Sequence, residues 1–348
     1  MIKIANKIIS RKSPVFIIAE AGVNHNNSLK NALKLVDAAA AAGADAVKFQ
    51  TFRAEDVVTV SGKMAAYQKK NIGREESQLE MLKKLELKEE FYRPIIRRCQ
   101  EKKIIFLSTP HGGFAAVDFL QSLKVLAFKF GSGDLTNLPL LQYAARLKKP
   151  MILGTGMATL PEVKEAVKCI ELAGNKKIIV LHCTTNYPCP EREVNLRAMS
   201  TLTEELDVPV GYSDHTLGIQ TSVMATALDA RVIEKHFTLD KNMAGPDHRA
   251  SLEPAELKEM VKGVRQAEII LGSGVKKPNK SEMPMIKTVR KSLVALKDIK
   301  KGEKFDEKNL GIKRPGTGLS PKIYNEILNK RAKSDIKADS LIKEKHYA

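Results

Sequence analysis

The sequence predicts a (β/α)8 barrel followed by a small second domain. Three observations carry that prediction: eight short apolar, β-rich runs recur along residues 1–274, amphipathic or Ala-rich stretches separate them, and polar residues gather at the C-terminal ends of the runs. The runs are Val15–Ala19, Ala46–Gln50, Ile104–Thr109, Leu126–Phe130, Met151–Thr155, Ile178–Cys183, Val208–Tyr212 and Val232–Phe237. Helical patterns fill Ser28–Ala42, Lys88–Lys102, Asn137–Leu147, Leu160–Leu172, Ile219–Leu228 and Pro254–Leu271. A doubly wound open sheet would want G-x-G-x-x-G after its first strand, and Ala19-Glu20-Ala21-Gly22-Val23-Asn24-His25 lacks that spacing.

The connection from Thr51 to Leu87 is abnormally long and carries Arg53, Tyr67, Gln68 and a polar stretch at Gly73–Gln78. Long connections inside compact domains are often lids or binding loops. After the barrel, 275–284 is a Lys/Pro/Ser stretch that reads as a linker, and 285–348 reads as a small module of short strands and tight turns. A module of that size is marginal alone, which favours docking on another domain or subunit.

Composition narrows the function. The 348 residues carry 58 Lys/Arg and 40 Asp/Glu, a net charge of +18, with 20 Lys/Arg against nine Asp/Glu from Val275 onward. No zinc knuckle, RNP-like aromatic run or helix-turn-helix pattern accompanies that charge, so a solvated basic face around an anionic substrate is expected, and no nucleic-acid partner. No apolar run approaches the roughly 20 residues that span a bilayer. Met1–Ser10 is too evenly mixed for a secretory segment, and the four cysteines form no C-x-x-C pair; a cytoplasmic protein with reduced thiols is expected.

Barrel enzymes place their chemistry at the C-terminal ends of the strands. Here those ends offer Glu20; Lys48 and Gln50; Ser108 and Thr109; Lys129, Ser132 and Asp134; Thr155; His182, Thr184 and Thr185; Ser213, Asp214 and His215; and Glu234 and His236. Lys48 and Lys129 are each embedded in an apolar strand, where a charge must be paired: by barrel carboxylates, or by a doubly charged anion. Gly131-Ser132-Gly133 and Gly154-Thr155-Gly156 would add close backbone approach and donors to such an anion. His215 and His236 end consecutive strands and are candidate ligands for a divalent transition metal with open positions. Glu20, Gln50, Asp134, Tyr187, Asp247 and His248 can hold hydroxyls or move protons, and Asp134 follows the phosphate-like loop closely enough to serve it. His182 reads equally as a core histidine. Cys183 and Cys189, spaced as no common zinc site, read as incidental core residues.

Ile18-Ala19-Glu20-Ala21-Gly22-Val23-Asn24-His25, Val47-Lys48-Phe49-Gln50, Gly131-Ser132-Gly133-Asp134, Leu181-His182-Cys183-Thr184, Gly211-Tyr212-Ser213-Asp214-His215, Glu234-Lys235-His236-Phe237 and Gly245-Pro246-Asp247-His248 together resemble the sialic acid synthase family. The likeness runs the length of the chain, and Lys313-Arg314-Pro315-Gly316-Thr317-Gly318 looks like that family's C-terminal antifreeze-like (SAF, β-clip) domain. The resemblance implies a synthase that condenses phosphoenolpyruvate with an N-acetylmannosamine-type aldose and water, giving a nine-carbon 2-keto acid and phosphate. N-acetylneuraminate synthesis is the main expectation, and the alternative is N,N'-diacetyllegionaminate from 2,4-diacetamido-2,4,6-trideoxymannose. It further implies that Lys48, Lys129, Ser132 and Ser213 hold phosphoenolpyruvate, with Thr155 and Thr185 contributing. His215 and His236 would bind Mn2+, with Mg2+ or Co2+ as alternatives. Glu20, Gln50, Tyr187 and Asp247 would bind or orient the sugar, and Glu20 or Asp134 would steer water. In a domain-swapped homodimer, Arg314 would reach the partner's sugar site. The chain departs from the family at Asp134, where many members have Glu, at Gly154, often Ser, and at Thr185, where several have Asn. An aldolase of the same fold, or a basic carbohydrate- or nucleic-acid-binding protein, are the rival readings; a binding module has no need of eight polar strand ends.

Overall fold

The computed structural model describes residues 1–72 and 76–347, so Gly73, Arg74 and Glu75 of the polar stretch in the long connection lie outside the described residues. Two compact units divide the chain, Met1–Gly272 and Ser273–Ala348.

The first unit opens with an antiparallel hairpin, β1 (Ile2–Ile4) and β2 (Lys7–Ile9), which the sequence reading did not anticipate. Eight parallel strands follow: β3 (Phe16–Gly22), β4 (Ala46–Thr51), β5 (Ile105–Pro110), β6 (Phe128–Phe130), β7 (Met151–Gly154), β8 (Ile178–His182), β9 (Val210–Asp214) and β10 (Val232–His236). Their hydrogen-bonded order is β5-β4-β3-β10-β9-β8-β7-β6, and β5 and β6 lie against each other to bring the sheet round into a barrel. All eight predicted runs are strands, with ends moved by at most three residues; hydrophobic patterning specifies that a strand exists better than where it stops.

Around the strands run α1 (Leu29–Ala42), α2 (Glu89–Glu101), α3 (Gly113–Ser122), α4 (Leu138–Ala145), α5 (Leu160–Leu172), α6 (Ala198–Glu205), α7 (Gln220–Ala227) and α8 (Pro254–Leu271). In α1, Ala32, Leu35, Val36 and Ala39 form the buried stripe that a 3.6-residue period produces, and the Ser28 hydroxyl caps the N-terminus by accepting from the Asn31 N–H. The helices α3 and α6 were not singled out in the sequence, for different reasons. The first is apolar over most of its surface, and the second starts at Arg197 with no capping side chain.

Side-chain alternation divides the strand residues between two cores. Ile17, Ala19, Val47, Phe49, Phe128, Leu153, Val180 and Ile233 face outward into the layer shared with the helices. Phe16, Ile18, Ala46, Leu107, Ile152, Leu181 and Val232 face into the barrel, where Ile2, Ile4 and Ile9 of the hairpin join them. The barrel is therefore filled with hydrocarbon from its N-terminal end upward, and the polar residues of the inward register can only lie above that plug.

The long connection is not structureless. It holds three short helical segments, Ala54–Val57, Ala66–Ile72 and Gln78–Lys83, the last started by a Ser77/Glu80 capping box. Met64, Met81 and Leu85 from it form a satellite core with Val23 and Phe52.

In the second unit, β11 (Ser292–Ala295) pairs antiparallel with β12 (Leu310–Lys313). Isolated bridges such as Ile299 to Ile336 and Lys304 to Arg331 wrap the chain around a core of Leu293, Phe305, Leu310, Ile327 and Ile342. A helix, Met283–Val289, begins inside the stretch read as linker, 275–284.

Candidate active site

Continuing the inward register past the apolar plug gives Glu20 on β3, Lys48 and Gln50 on β4, Thr109 on β5, Lys129 on β6, Ser213 on β9 and Glu234 and His236 on β10, with His215 one step beyond β9. All line one cavity at the C-terminal mouth of the barrel.

Its floor is a lattice of two lysines and two carboxylates. Lys48 Nζ lies 2.7 Å from Glu20 Oε2 and donates to Thr109 Oγ1 at 3.0 Å. Lys129 Nζ lies 3.1 Å from Glu234 Oε1, which also accepts from Ser213 Oγ at 3.0 Å. Glu234 Oε2 has no hydrogen-bond partner and stands 3.8 Å from Lys48 Nζ, so Glu234 bridges the two lysines. The two readings of these lysines, ion pairs or anion seat, are thus not exclusive: each is paired with a carboxylate and each still faces the cavity. Burial pushes both carboxyls up. In Glu20 burial prevails over Lys48, and its affinity for a proton is raised, whereas in Glu234 Lys129 and Lys48 prevail and hold it below the usual range.

Above the floor stand the two imidazoles, ring centroids 5.6 Å apart at 62°. His215 Nδ1 is 2.6 Å from the Thr184 carbonyl oxygen, which can only accept, so Nδ1 carries the proton and Nε2 is left with its lone pair. His236 Nδ1 is buried with no hydrogen-bond partner; the nearest carboxylate oxygen, Asp247 Oδ2, is 4.0 Å away. Burial drives His215 down to about 4 and His236 well below its ordinary value, so both rings are neutral near pH 7, the state that metal ligation requires. Among the described residues no group of three or more His, Cys, Asp or Glu side chains is arranged to hold a metal. Two neutral imidazoles side by side at the cavity are the donor set a transition-metal cation would take, with its remaining positions left to substrate and water.

Tyr187 packs its ring 4.1 Å from that of His215 and edge-on to His236. Asp247, raised to about 6 by burial, closes the mouth beside them. Gln50 Nε2 donates to Glu20 Oε1 at 3.3 Å. Ser132 Oγ accepts the Gly156 N–H at 2.9 Å, and Gly156 is held to glycine because a Cβ there would lie 2.1 Å from Thr185 Oγ1. Thr185 Oγ1 is buried without a hydrogen-bond partner and lines the cavity.

Two candidate residues of the first unit fall elsewhere. Thr155 lies just past the end of β7 with outward parity; its hydroxyl donates to the Leu181 carbonyl at 3.0 Å, and it borders a neighbouring cavity. Asp134 turns to His111, Oδ2 to Nδ1 3.6 Å, and does not line the central cavity. Arg314 is exposed in the turn after β12, in the second unit. His182 is outward too, its Nε2 on the Val194 carbonyl, and Ser108 bonds Thr51 behind the strands.

Other residues at the site were missed. Cys183, read as incidental, has inward parity after β8: its sulfur lies 3.2 Å from Ser132 Oγ and accepts the Gly156 N–H at 3.2 Å. Glu234 was noted only as a polar strand end beside His236, though its charge in an apolar strand is the same signal as Lys48. His111 had no signal beyond following Pro110 at the end of β5.

Comparison with known proteins supplies the rest. The model of the NeuB family matches residues 35–276, and that of the SAF domain matches 290–348. The N,N'-diacetyllegionaminic acid synthase of Campylobacter jejuni is 52% identical over 94% of this chain and 98% of its own length. The N,N'-diacetyllegionaminic acid synthase of Legionella pneumophila is 45% identical over 95% of this chain and 94% of its own. The crystal structure of the spore coat polysaccharide biosynthesis protein SpsE of Bacillus subtilis superposes with a TM-score of 0.67 at 37% identity, covering 99% of this chain and 98% of that one. The two matches cover most of the barrel and the second unit, and the chain belongs to the NeuB family of sialic-acid-type synthases.

Proposed function

We propose that the protein condenses phosphoenolpyruvate with 2,4-diacetamido-2,4,6-trideoxymannose and water, releasing N,N'-diacetyllegionaminate and phosphate. The observation that carries the phosphoenolpyruvate half is the floor lattice, in which two buried lysines, each steadied by a carboxylate, also line the open cavity. The acceptor half rests on the two relatives named above, which favour the diacetyllegionaminate alternative over the N-acetylneuraminate reading drawn from motifs alone.

Lys48 and Lys129, with Ser132, Ser213 and Thr185, would hold the phosphate and carboxylate of phosphoenolpyruvate; fixed charges of this kind act by electrostatic preorganisation. His215 and His236 would hold a divalent cation, Mn2+ by preference, which would supply Lewis-acid chemistry at the acceptor's aldehyde. The C3 methylene of phosphoenolpyruvate attacks the aldehyde carbon and forms the new C–C bond. Asp247, lifted to about 6, gives a proton to the aldehyde oxygen. Glu20, made a better base by burial, takes a proton from the water that adds at C2. The C2–O bond to phosphate then breaks: the C2 hydroxyl gives its remaining proton to the departing phosphate, which keeps the bridging oxygen, and the water oxygen stays as the keto group. The same reading makes the working unit a cytoplasmic, domain-swapped homodimer, with Arg314 serving the partner's site.

The test is phosphoenolpyruvate-dependent phosphate release with Mn2+ across N-acetylmannosamine, its 6-phosphate and 2,4-diacetamido-2,4,6-trideoxymannose. The highest kcat/KM is expected for the trideoxy sugar, with 18O from labelled water in the keto acid and none in the phosphate. A higher kcat/KM for N-acetylmannosamine returns the chain to the neuraminate reading.

A further inference from the structure

The cavity has two unlike sides. One is the ionic floor. The other comes from the connection between β4 and α2, where Phe52, Val57, Met81, Leu82 and Leu85 present hydrocarbon to the same space, interrupted by Gln68 and Gln78. Tyr67 extends this wall to the metal side: its ring lies 5.1 Å from that of Tyr187, which in turn stacks on His215. The wall is anchored at both ends. Met81 and Leu85 are fixed in the satellite core, and Asn71 Nδ2 donates to the Pro246 carbonyl at 2.6 Å, tying the connection to the loop that carries Asp247.

Such a surface suits the methyl groups of an acceptor: the N-acetyl methyls common to the candidate sugars, and the C6 methyl that only a 6-deoxy aldose has. Hydroxyls pressed against hydrocarbon lose their water partners without replacement, whereas methyl groups gain by leaving water. We infer that the apolar wall of Tyr67, Leu82 and Val57 selects the acceptor, by receiving the methyl that a 6-deoxy aldose carries in place of a hydroxymethyl group. The inference rests on the acceptor proposed above and assigns the part of the chain that reads it. Tyr67 and Leu82 are specificity residues that touch the sugar and leave phosphoenolpyruvate alone.

The experiment compares 2-acetamido-2,6-dideoxymannose with N-acetylmannosamine, which differ only at C6, in the full-length protein with Mn2+. Wild type is expected to prefer the 6-deoxy sugar by roughly 10- to 200-fold in kcat/KM, the range one methyl in an apolar pocket supplies. Leu82 is only half-buried, so Leu82→Asn and Tyr67→Ala are tolerable changes. Each should lower that preference by about tenfold or more, with KM for phosphoenolpyruvate unchanged, while Leu82→Met retains it. Variants that slow both sugars by one common factor overturn the role of the wall and leave the acceptor assignment standing. A wild type that prefers the hydroxymethyl sugar overturns the assignment itself.

Discussion

Two buried lysine–carboxylate pairs meet β10 at adjacent residues, Glu234 with Lys129 and Lys235 with Asp214, and only the first lines the candidate site. Lys235, fully buried on the outer face of β10, sits 3.0 Å from Asp214 Oδ2 and donates to the Thr216 carbonyl at 2.6 Å. Asp214 also accepts from the Thr216 N–H and hydroxyl at 2.9 and 2.7 Å, and from Ser222 Oγ at 2.7 Å. That pair is closed: its acceptors are used and both side chains are fully buried. Across the strand, Lys129 and Glu234 are also buried, yet Glu234 Oε2 has no hydrogen-bond partner and both residues border open space. Burial and pairing alone do not set an ion pair at a candidate site apart from a structural one. Unused hydrogen-bonding capacity facing a cavity does.

The sharpest way to break this contrast is at the closed pair. Lys235→Met leaves Asp214 buried and uncompensated, and should cost about 3–5 kcal/mol of stability. Urea unfolding reads that loss, while the folded fraction keeps wild-type kcat. Lys129→Met should do the reverse: kcat/KM for phosphoenolpyruvate falls by about 10²–10³-fold, and the urea midpoint moves far less. If both variants lose activity and stability together, the distinction drawn here is wrong. The smallest effect concerns His25, buried near His248 and lowered by that burial to about 4. Because its folded value lies below its unfolded one, the stability it contributes is complete above pH 6.5 and is lost as pH falls towards 4. His25→Phe should reduce the slope of stability against pH in that window by about 1.4 kcal/mol per unit, leaving activity at pH 7.5 unchanged.

Much of this was legible in the sequence, for reasons that differ from residue to residue. Lys48 and Lys129 betrayed themselves as charges inside apolar strands, and His215 and His236 by equivalent places on successive strands. Counting parity would also have corrected Thr155, since inward Ile152 and Gly154 on β7 make Gly156 the next inward residue. Glu234 was harder. Its importance depends on β10 lying beside β3 and within reach of Lys129 on β6, a closure that no local pattern encodes. Asp134 was misplaced because proximity in sequence to Ser132 did not disclose its turn towards His111. The hairpin β1–β2 escaped because strands of three residues are too short to show a period.

Alternation on β9 and β10 makes the active site a matter of phase. His215 stands between Asp214 and Thr216, and Lys235 between Glu234 and His236, so wall and site are interleaved in one stretch of chain. Deleting a single residue early in β10 would turn Lys235 and Phe237 into the cavity and drive Glu234 and His236 into hydrocarbon. Loops at the barrel mouth can lengthen or shorten as new acceptors are tried; these two strands can change letters but never length.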